Sequence, residues 1–260
     1  MKNLLKIFFV AVFLLGCTNN NAKNENTLKV GATPIPHAQI LEFVKPLLAK
    51  EGIKLEIIAY TDYVTPNIAL QDGSIDANFF QHLPYLEKSN KDRGFNLISA
   101  GKVHIEPLSL FSNKIKNLKE LKEKSIIAIP NDPSNLARAL ILLHNQGLIT
   151  LKDPSNLTTT QQDILKNPKK LVIKPLEAAL LPRVLDDVSI AIINGNYALQ
   201  AKLKNPLAQE GKESPYANII AVKKGNEESP KIKALIKALQ SPETKAFIDK
   251  TYEGEVVPAF

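Results

Sequence analysis

Only one of the 260 residues is a cysteine, so no intrachain disulfide is available and stability has to come from packing. Tryptophan is absent, and only three of the 33 basic residues are arginines: Arg93, Arg138 and Arg183. The lysines are interspersed with glutamates, as in Asn113 to Lys124, which is the pattern of a solvated face. No basic stretch is interleaved with aromatics, so nucleic acid is excluded as an expected partner. The HExxH, GxSxG, GxxxxGK[ST] and GxGxxG patterns are all missing, and with them the usual signals for metalloprotease, hydrolase and nucleotide chemistry. The four histidines, His37, His82, His104 and His144, are too far apart for a metal pair and no carboxylate cluster stands beside them in sequence. His37, His104 and His144 therefore read as surface or packing residues, no metal or cofactor is expected, and nothing asks for an enzyme.

What is present begins at the N-terminus. Lys2 and Lys6 precede an apolar run from Ile7 to Gly16, which ends at the single cysteine, Cys17. A run of about ten apolar residues falls short of the roughly twenty that span a bilayer, and the order of basic, apolar and small residues is that of an export signal. Leu14-Leu15-Gly16-Cys17 resembles the lipobox of bacterial lipoproteins, in which the cysteine is lipidated through sulfur, with acyl chains such as palmitate, and becomes the mature N-terminus. The expectation is a signal peptide over 1–16, a flexible tether over 17–26, and a mature protein in the cell envelope, lipid-anchored on the extracytoplasmic side. Loss of Lys2 and Lys6 lowers the formal charge from +7 to +5, and lipidation of Cys17 removes the only candidate for thiol catalysis.

From Thr27 onward strand-like and helix-like stretches alternate, the pattern of an α/β fold with crossover helices. Leu28 to Ala32 and Leu55 to Ala59 read as strands flanking a helix with Ile40, Leu41, Val44, Leu47 and Leu48 on one face; Pro46 inside it predicts a kink or a late start. Further strands are expected at Ala77 to Phe80, Asn96 to Lys102 and Ile105 to Phe111. After the charged stretch the pattern restarts with a strand at Ser125 to Ile129 and a helix opened by Asp132-Pro133, with Asp132 as cap. Leu171 to Pro175, Ser189 to Ile193 and Asn218 to Val222 complete the strands, and Ser229-Pro230 and Ser241-Pro242 each start a helix. Two α/β lobes joined by two crossovers, with ligand bound between them, account for this order. The predicted lobes are 27–110 plus 221–260, and 111–220.

Two segments stand out chemically. Asp76 to Leu86, DANFFQHLPYL, gathers three aromatics and a histidine where a strand turns at Pro84; it reads equally as core. Asn131 to Arg138, NDPSNLAR, puts an arginine in the second turn of a capped helix, where free N–H groups and the helix dipole favour an anion and a guanidinium can grip a carboxylate through two parallel bonds. A surface salt bridge is the competing reading of Arg138.

These segments, with TDYVTPNIAL (61–70), LPRVLDD (181–187), AIINGNYA (191–198) and KESPYANII (212–220), resemble the methionine-binding lipoproteins of ABC importers, the MetQ/NlpA family. The motifs keep their order and cover essentially the whole mature chain. The resemblance implies a two-lobed α/β fold of the periplasmic-binding-protein type, a non-enzymatic role in capturing L-methionine or a close relative, and delivery to an ABC permease with its ATPase. It places an aromatic pocket on Tyr63, Phe80, His82 and Tyr85, a carboxylate-binding arginine on Arg138 with Asn135 beside it, and polar clamps on Asn194 and Asn218. The chemistry fits a zwitterionic amino acid: the arginine for the carboxylate, the two asparagine oxygens for the ammonium, the rings for an apolar side chain, and His82 as a neutral shaping group. A binder of a methionine-containing dipeptide or of another apolar amino acid, or a surface adhesin or antigen on the same fold, are the alternative expectations.

Overall fold

A computed structural model describes residues 26–211 and 214–260, so the expected signal peptide, Cys17 and almost all of the tether lie outside the described residues. The first lobe opens with β1 (Thr27–Ala32), α1 (Gln39–Lys50), β2 (Lys54–Ala59), α2 (Thr65–Asp72), β3 (Ala77–His82), α3 (Leu83–Arg93) and β4 (Leu97–Ile105). The chain then enters the second lobe through β5 (Ser109–Phe111), β6 (Ile126–Pro130), α4 (Pro133–Asn145), β7 (Thr150–Leu151), β8 (Ile164–Lys166), β9 (Val172–Leu176), β10 (Ile190–Ile193), α5 (Gly195–Gln200) and β11 (Ala208–Gln209). It returns to the first lobe with β12 (Ala217–Lys223), α6 (Pro230–Leu239), α7 (Pro242–Tyr252) and β13 (Val257–Pro258).

Two sheets define the lobes. One runs β13-β4-β12-β3-β1-β2, the other β11-β5-β10-β6-β9, with β7 and β8 as a separate hairpin. β1 is parallel to β2 and β3, whereas β12 lies antiparallel between β3 and β4. β3 is buried along its whole length and β12 at all but its last residue, as central strands covered on both faces must be. The apolar faces of α1 and α6 supply Ile40, Leu41, Val44, Leu48, Ile232, Leu235 and Leu239 to the core of the first lobe. α1 starts at Gln39 and continues past Pro46, which sits on its exposed side; the late start expected from that proline does not occur. Serine caps α6 and α7 as the sequence suggests: Ser229 accepts from the Ile232 amide and Ser241 from the Thr244 amide.

The lobe change falls elsewhere than the expected 110/111 and 220/221. β5 already belongs to the second sheet from Ser109, and the whole of β12 pairs within the first from Ala217. The crossovers are thus Glu106–Leu108 and the stretch between Gln209 and Ala217. The second boundary is displaced because the partners of β12, β3 and β4, lie more than a hundred residues upstream and its sequence does not announce them.

Candidate functional site

The wall contributed by the first lobe starts with an irregularity. The register of β3 against β12 passes from Gln81 opposite Ile219 to Phe79 opposite Ile220, so Phe80 is the unpaired residue of a bulge, a device that re-aims side chains. One consequence is that Asn78 and Gln81, three residues apart, both bond the buried Asn67. Another is that Phe80 meets two tyrosines: Tyr63, Phe80 and Tyr85 stand with ring centroids 5.9 Å apart in all three pairs. Asp62 holds the loop carrying Tyr63 by accepting from the Val64 and Thr65 amides at 2.7 Å each. Tyr85 donates to the Tyr63 carbonyl at 2.7 Å, so the rings form one braced slot.

His82 caps α3. Its Nδ1 accepts from the Tyr85 amide at 3.2 Å, which leaves the proton on Nε2, facing Asn135 Oδ1 of the second lobe at 3.2 Å. Burial, with the Arg138 charge nearby, lowers its pKa to about 3, so it is a neutral donor at physiological pH.

The second lobe supplies the charged corner. Asp132 caps α4 by accepting from the Asn135 amide, and the Asn135 side-chain nitrogen donates to both Asp132 oxygens at 3.0 Å. Asn135 Oδ1 takes Asn194 Nδ2 at 2.9 Å as well as His82, so both lone pairs of this oxygen are engaged by protein. It orients its neighbours across the cleft.

Arg138, one turn on, is 3 % exposed. Its Nε and Nη2 grip Glu210 at 2.8 and 2.5 Å, Nη2 also donates to the Glu106 carbonyl at 2.8 Å, and its Cζ lies 4.4 Å from the Tyr216 ring centroid. Burial opposes the charge and Glu210 more than reverses that effect, so the guanidinium's pKa is raised. The two-bond fork expected for a ligand carboxylate is therefore already filled from within, and only the two Nη1 hydrogens have no acceptor among the described residues.

The asparagines divide the remaining work. Asn194 Oδ1 and Asn196 Nδ2 are buried without a partner among the described residues, one an acceptor and one a donor. Asn218 Oδ1 faces His37 Nε2 at 3.1 Å, so the group without a partner among the described residues is its amide NH2, a donor suited to a carboxylate. Arg138 and these three asparagines line one cavity together with the rings. Inter-lobe bonds close it: Tyr63 donates to Asn196 Oδ1 at 2.5 Å and Tyr197 to the Thr61 carbonyl at 3.0 Å.

Behind the cavity, at the first crossover, Glu106 Oε1 lies 2.7 Å from His104 Nε2 and 3.2 Å from His37 Nε2, while His37 Nδ1 meets Thr33 Oγ1 at 2.7 Å. All three residues are buried. Burial lowers His37 to about 4 and His104 to about 3, and pushes the Glu106 carboxyl up. A 2.7 Å separation is a hydrogen bond; two ligands of a tetrahedral zinc ion with bonds of about 2.0–2.1 Å stand about 3.3 Å apart. These two histidines are thus hinge residues that tie β4 and the loop after β1 to the crossover, a role their sequence surroundings did not suggest. His144, at the end of α4, lies apart from this cluster and accepts from the Leu151 amide, as a packing residue does.

Every expected site residue reaches the cavity. Those missed are Glu106, Gly195, Asn196, Tyr197, Glu210 and Tyr216. A signal existed for some: Asn196 and Tyr197 stand in AIINGNYA and Tyr216 in KESPYANII. Gly195 is required by close approach, since a Cβ there would lie 2.7 Å from Glu106 Cβ.

Comparison with known proteins shows the family. The family model for NlpA lipoproteins matches residues 28–260. A probable D-methionine-binding lipoprotein MetQ of Pasteurella multocida is 44% identical over 260 residues, covering 95% of this chain and 94% of that protein. The structure of a nutrient-binding protein from Burkholderia cenocepacia bound to methionine superposes with a TM-score of 0.87 at 47% identity, over 90% of this chain and all of that one. An ABC-transporter periplasmic substrate-binding protein from Coxiella burnetii gives 0.85 at 44% identity, over 89% of this chain and all of that one.

Proposed function

Because the chain belongs to the NlpA lipoprotein family, we propose that it captures methionine outside the cytoplasm and delivers it to an ABC permease and its ATPase, held at the membrane through a lipid on Cys17. The observation that carries this reading is the set of unmet polar groups around one cavity: donors on Arg138 Nη1, Asn196 and Asn218, and an acceptor on Asn194 Oδ1. A zwitterionic amino acid offers the complement, with its carboxylate at the donors and its ammonium at the acceptor. The side chain then enters the slot of Tyr63, Phe80 and Tyr85, where thioether sulfur packs against ring edges for about 0.3–1.5 kcal/mol per contact. Recognition needs no chemistry: His82 is a neutral donor already committed to Asn135, and among the described residues no nucleophile–base pair faces the cavity. The protein works by closing its lobes on the ligand and releasing it to the permease.

Calorimetric titration with L-methionine, D-methionine, leucine and a methionine-containing dipeptide tests the reading. Tight binding of methionine, weaker binding of leucine and loss of methionine uptake on deletion of the gene are expected. Binding of another solute in place of methionine would overturn the ligand, and unchanged uptake would overturn the transport role in favour of a surface-binding one.

A further inference from the structure

The ion pair of Arg138 with Glu210 is built more deliberately than a structural salt bridge requires. Glu210 directly follows β11, where its backbone amide donates to the Leu108 carbonyl at 3.0 Å. Its Oε2 in turn accepts from the Leu108 amide at 3.1 Å. The residue is therefore locked to the first crossover while standing at the start of the second, and its carboxylate is aimed at Arg138 by main-chain bonds on both sides. Through the Glu106 carbonyl and Glu210, the guanidinium is tied to both crossovers at once.

This arrangement has two consequences for a ligand. The first is directional: with Nε and both Nη2 hydrogens engaged, Nη1 alone can serve the cleft, so the ligand carboxylate must bind at one corner of the guanidinium. The second is electrostatic. Arg138 and Glu210 cancel, and the remaining acid of the cavity wall, Glu106, lies among His37, His104 and the Asn196 amide, where burial favours its neutral form. A ligand carrying only a carboxylate would bring an uncompensated negative charge into a closed cavity, an unfavourable burial. A zwitterion would not.

We propose that Glu210 is a positioning and specificity-determining residue: it holds Arg138 with Nη1 toward the cleft and, by cancelling the arginine's charge, makes the site select net-neutral amino acids over simple carboxylates. This rests on the amino-acid reading above. The test titrates the acylated protein, solubilised in detergent, with L-methionine and with 4-(methylthio)butanoate, the same molecule without its ammonium group. The wild-type protein is expected to prefer methionine by a hundredfold or more. In Glu210→Gln the preference shrinks at least tenfold, because the bare guanidinium now attracts the anion and repels the ammonium, and Glu210→Asp restores most of it even where absolute affinity stays low. A residue that served folding alone would weaken both ligands by the same factor, and an unchanged ratio in Glu210→Gln overturns the proposal. Should Glu210→Gln not fold, the wild-type ratio and that of Glu210→Asp decide: butanoate bound within tenfold of methionine by the wild-type chain overturns it equally. If methionine itself does not bind but another amino acid does, the ligand reading fails, and the same comparison with that amino acid and its deaminated analogue still tests Glu210.

Discussion

Replacing Arg138 by methionine removes the positive half of a pair whose side chains are 3% and 13% exposed. The carboxylate of Glu210 keeps the Leu108 amide but loses both guanidinium bonds. Breaking a buried pair from one side costs about 3–5 kcal/mol, because the surviving charge is stranded. For a domain of this size about 2–4 °C of melting temperature accompany each kcal/mol, so Arg138→Met should melt about 6–20 °C below wild type. Removing the other half as well tests the cause. In Arg138→Met/Glu210→Leu no charge is stranded, and apolar replacement of a buried pair is often neutral or stabilising, so the double variant should return to within about 2 kcal/mol of wild type. Methionine binding should be undetectable in both, since Nη1 is gone from both. Urea denaturation gives the stabilities and calorimetry the binding. A double variant as unstable as the single one would refute the stranded-charge argument; methionine bound by either would refute the role of Arg138.

Other consequences follow from the same geometry. Tyr63→Phe deletes the inter-lobe bond to Asn196 and leaves a buried amide oxygen unmet, a loss of about 1–3 kcal/mol from the closed form, which stopped-flow fluorescence should read as roughly 5- to 150-fold faster ligand release; an unchanged off-rate contradicts the closure contact. His37, His82 and His104 have folded pKa values of about 4, 3 and 3 against 6.5 unfolded, so their stabilising effect is full above pH 6.5 and is lost as pH falls toward 4 and 3. Each contributes about 1.4 kcal/mol per pH unit across that window, with the raised carboxyl of Glu106 acting in the opposite sense, and His104→Phe should flatten the measured stability–pH slope by about that amount. Cys17→Ser should leave methionine affinity unchanged and move the protein from the detergent phase to the aqueous phase; retention in the detergent phase would refute a lipid anchor at that residue.

How much of this could be read from the chain depends on the range of the interactions. Local rules were enough for the alternation of strands and helices and for the caps: Asp132, Ser229 and Ser241 each bond an amide three residues ahead. Arg138 was legible because it lies in the same helical turn as the motif that announces it. Its partner was not, since Glu210 is 72 residues away in a segment with no motif of its own. The His37–Asn218 contact joins residues 181 apart, and it is this bond that gives the Asn218 oxygen a protein partner and leaves the amide NH2 without one among the described residues. His37, His104 and Glu106 look unremarkable in sequence because His37 comes from a segment far from the other two, and only the fold brings it to the crossover. The site is therefore readable as a list of residue types. Which atoms stay available depends on long-range partners that no spacing rule reports.

The most direct measurement is a crystal structure of the chain with methionine bound. The account predicts a carboxylate oxygen within hydrogen-bond distance of Arg138 Nη1, the ammonium against Asn194 Oδ1, the thioether among Tyr63, Phe80 and Tyr85, and Glu210 still on the Nε edge. A ligand carboxylate that displaces Glu210, or an ammonium turned away from Asn194, would contradict it.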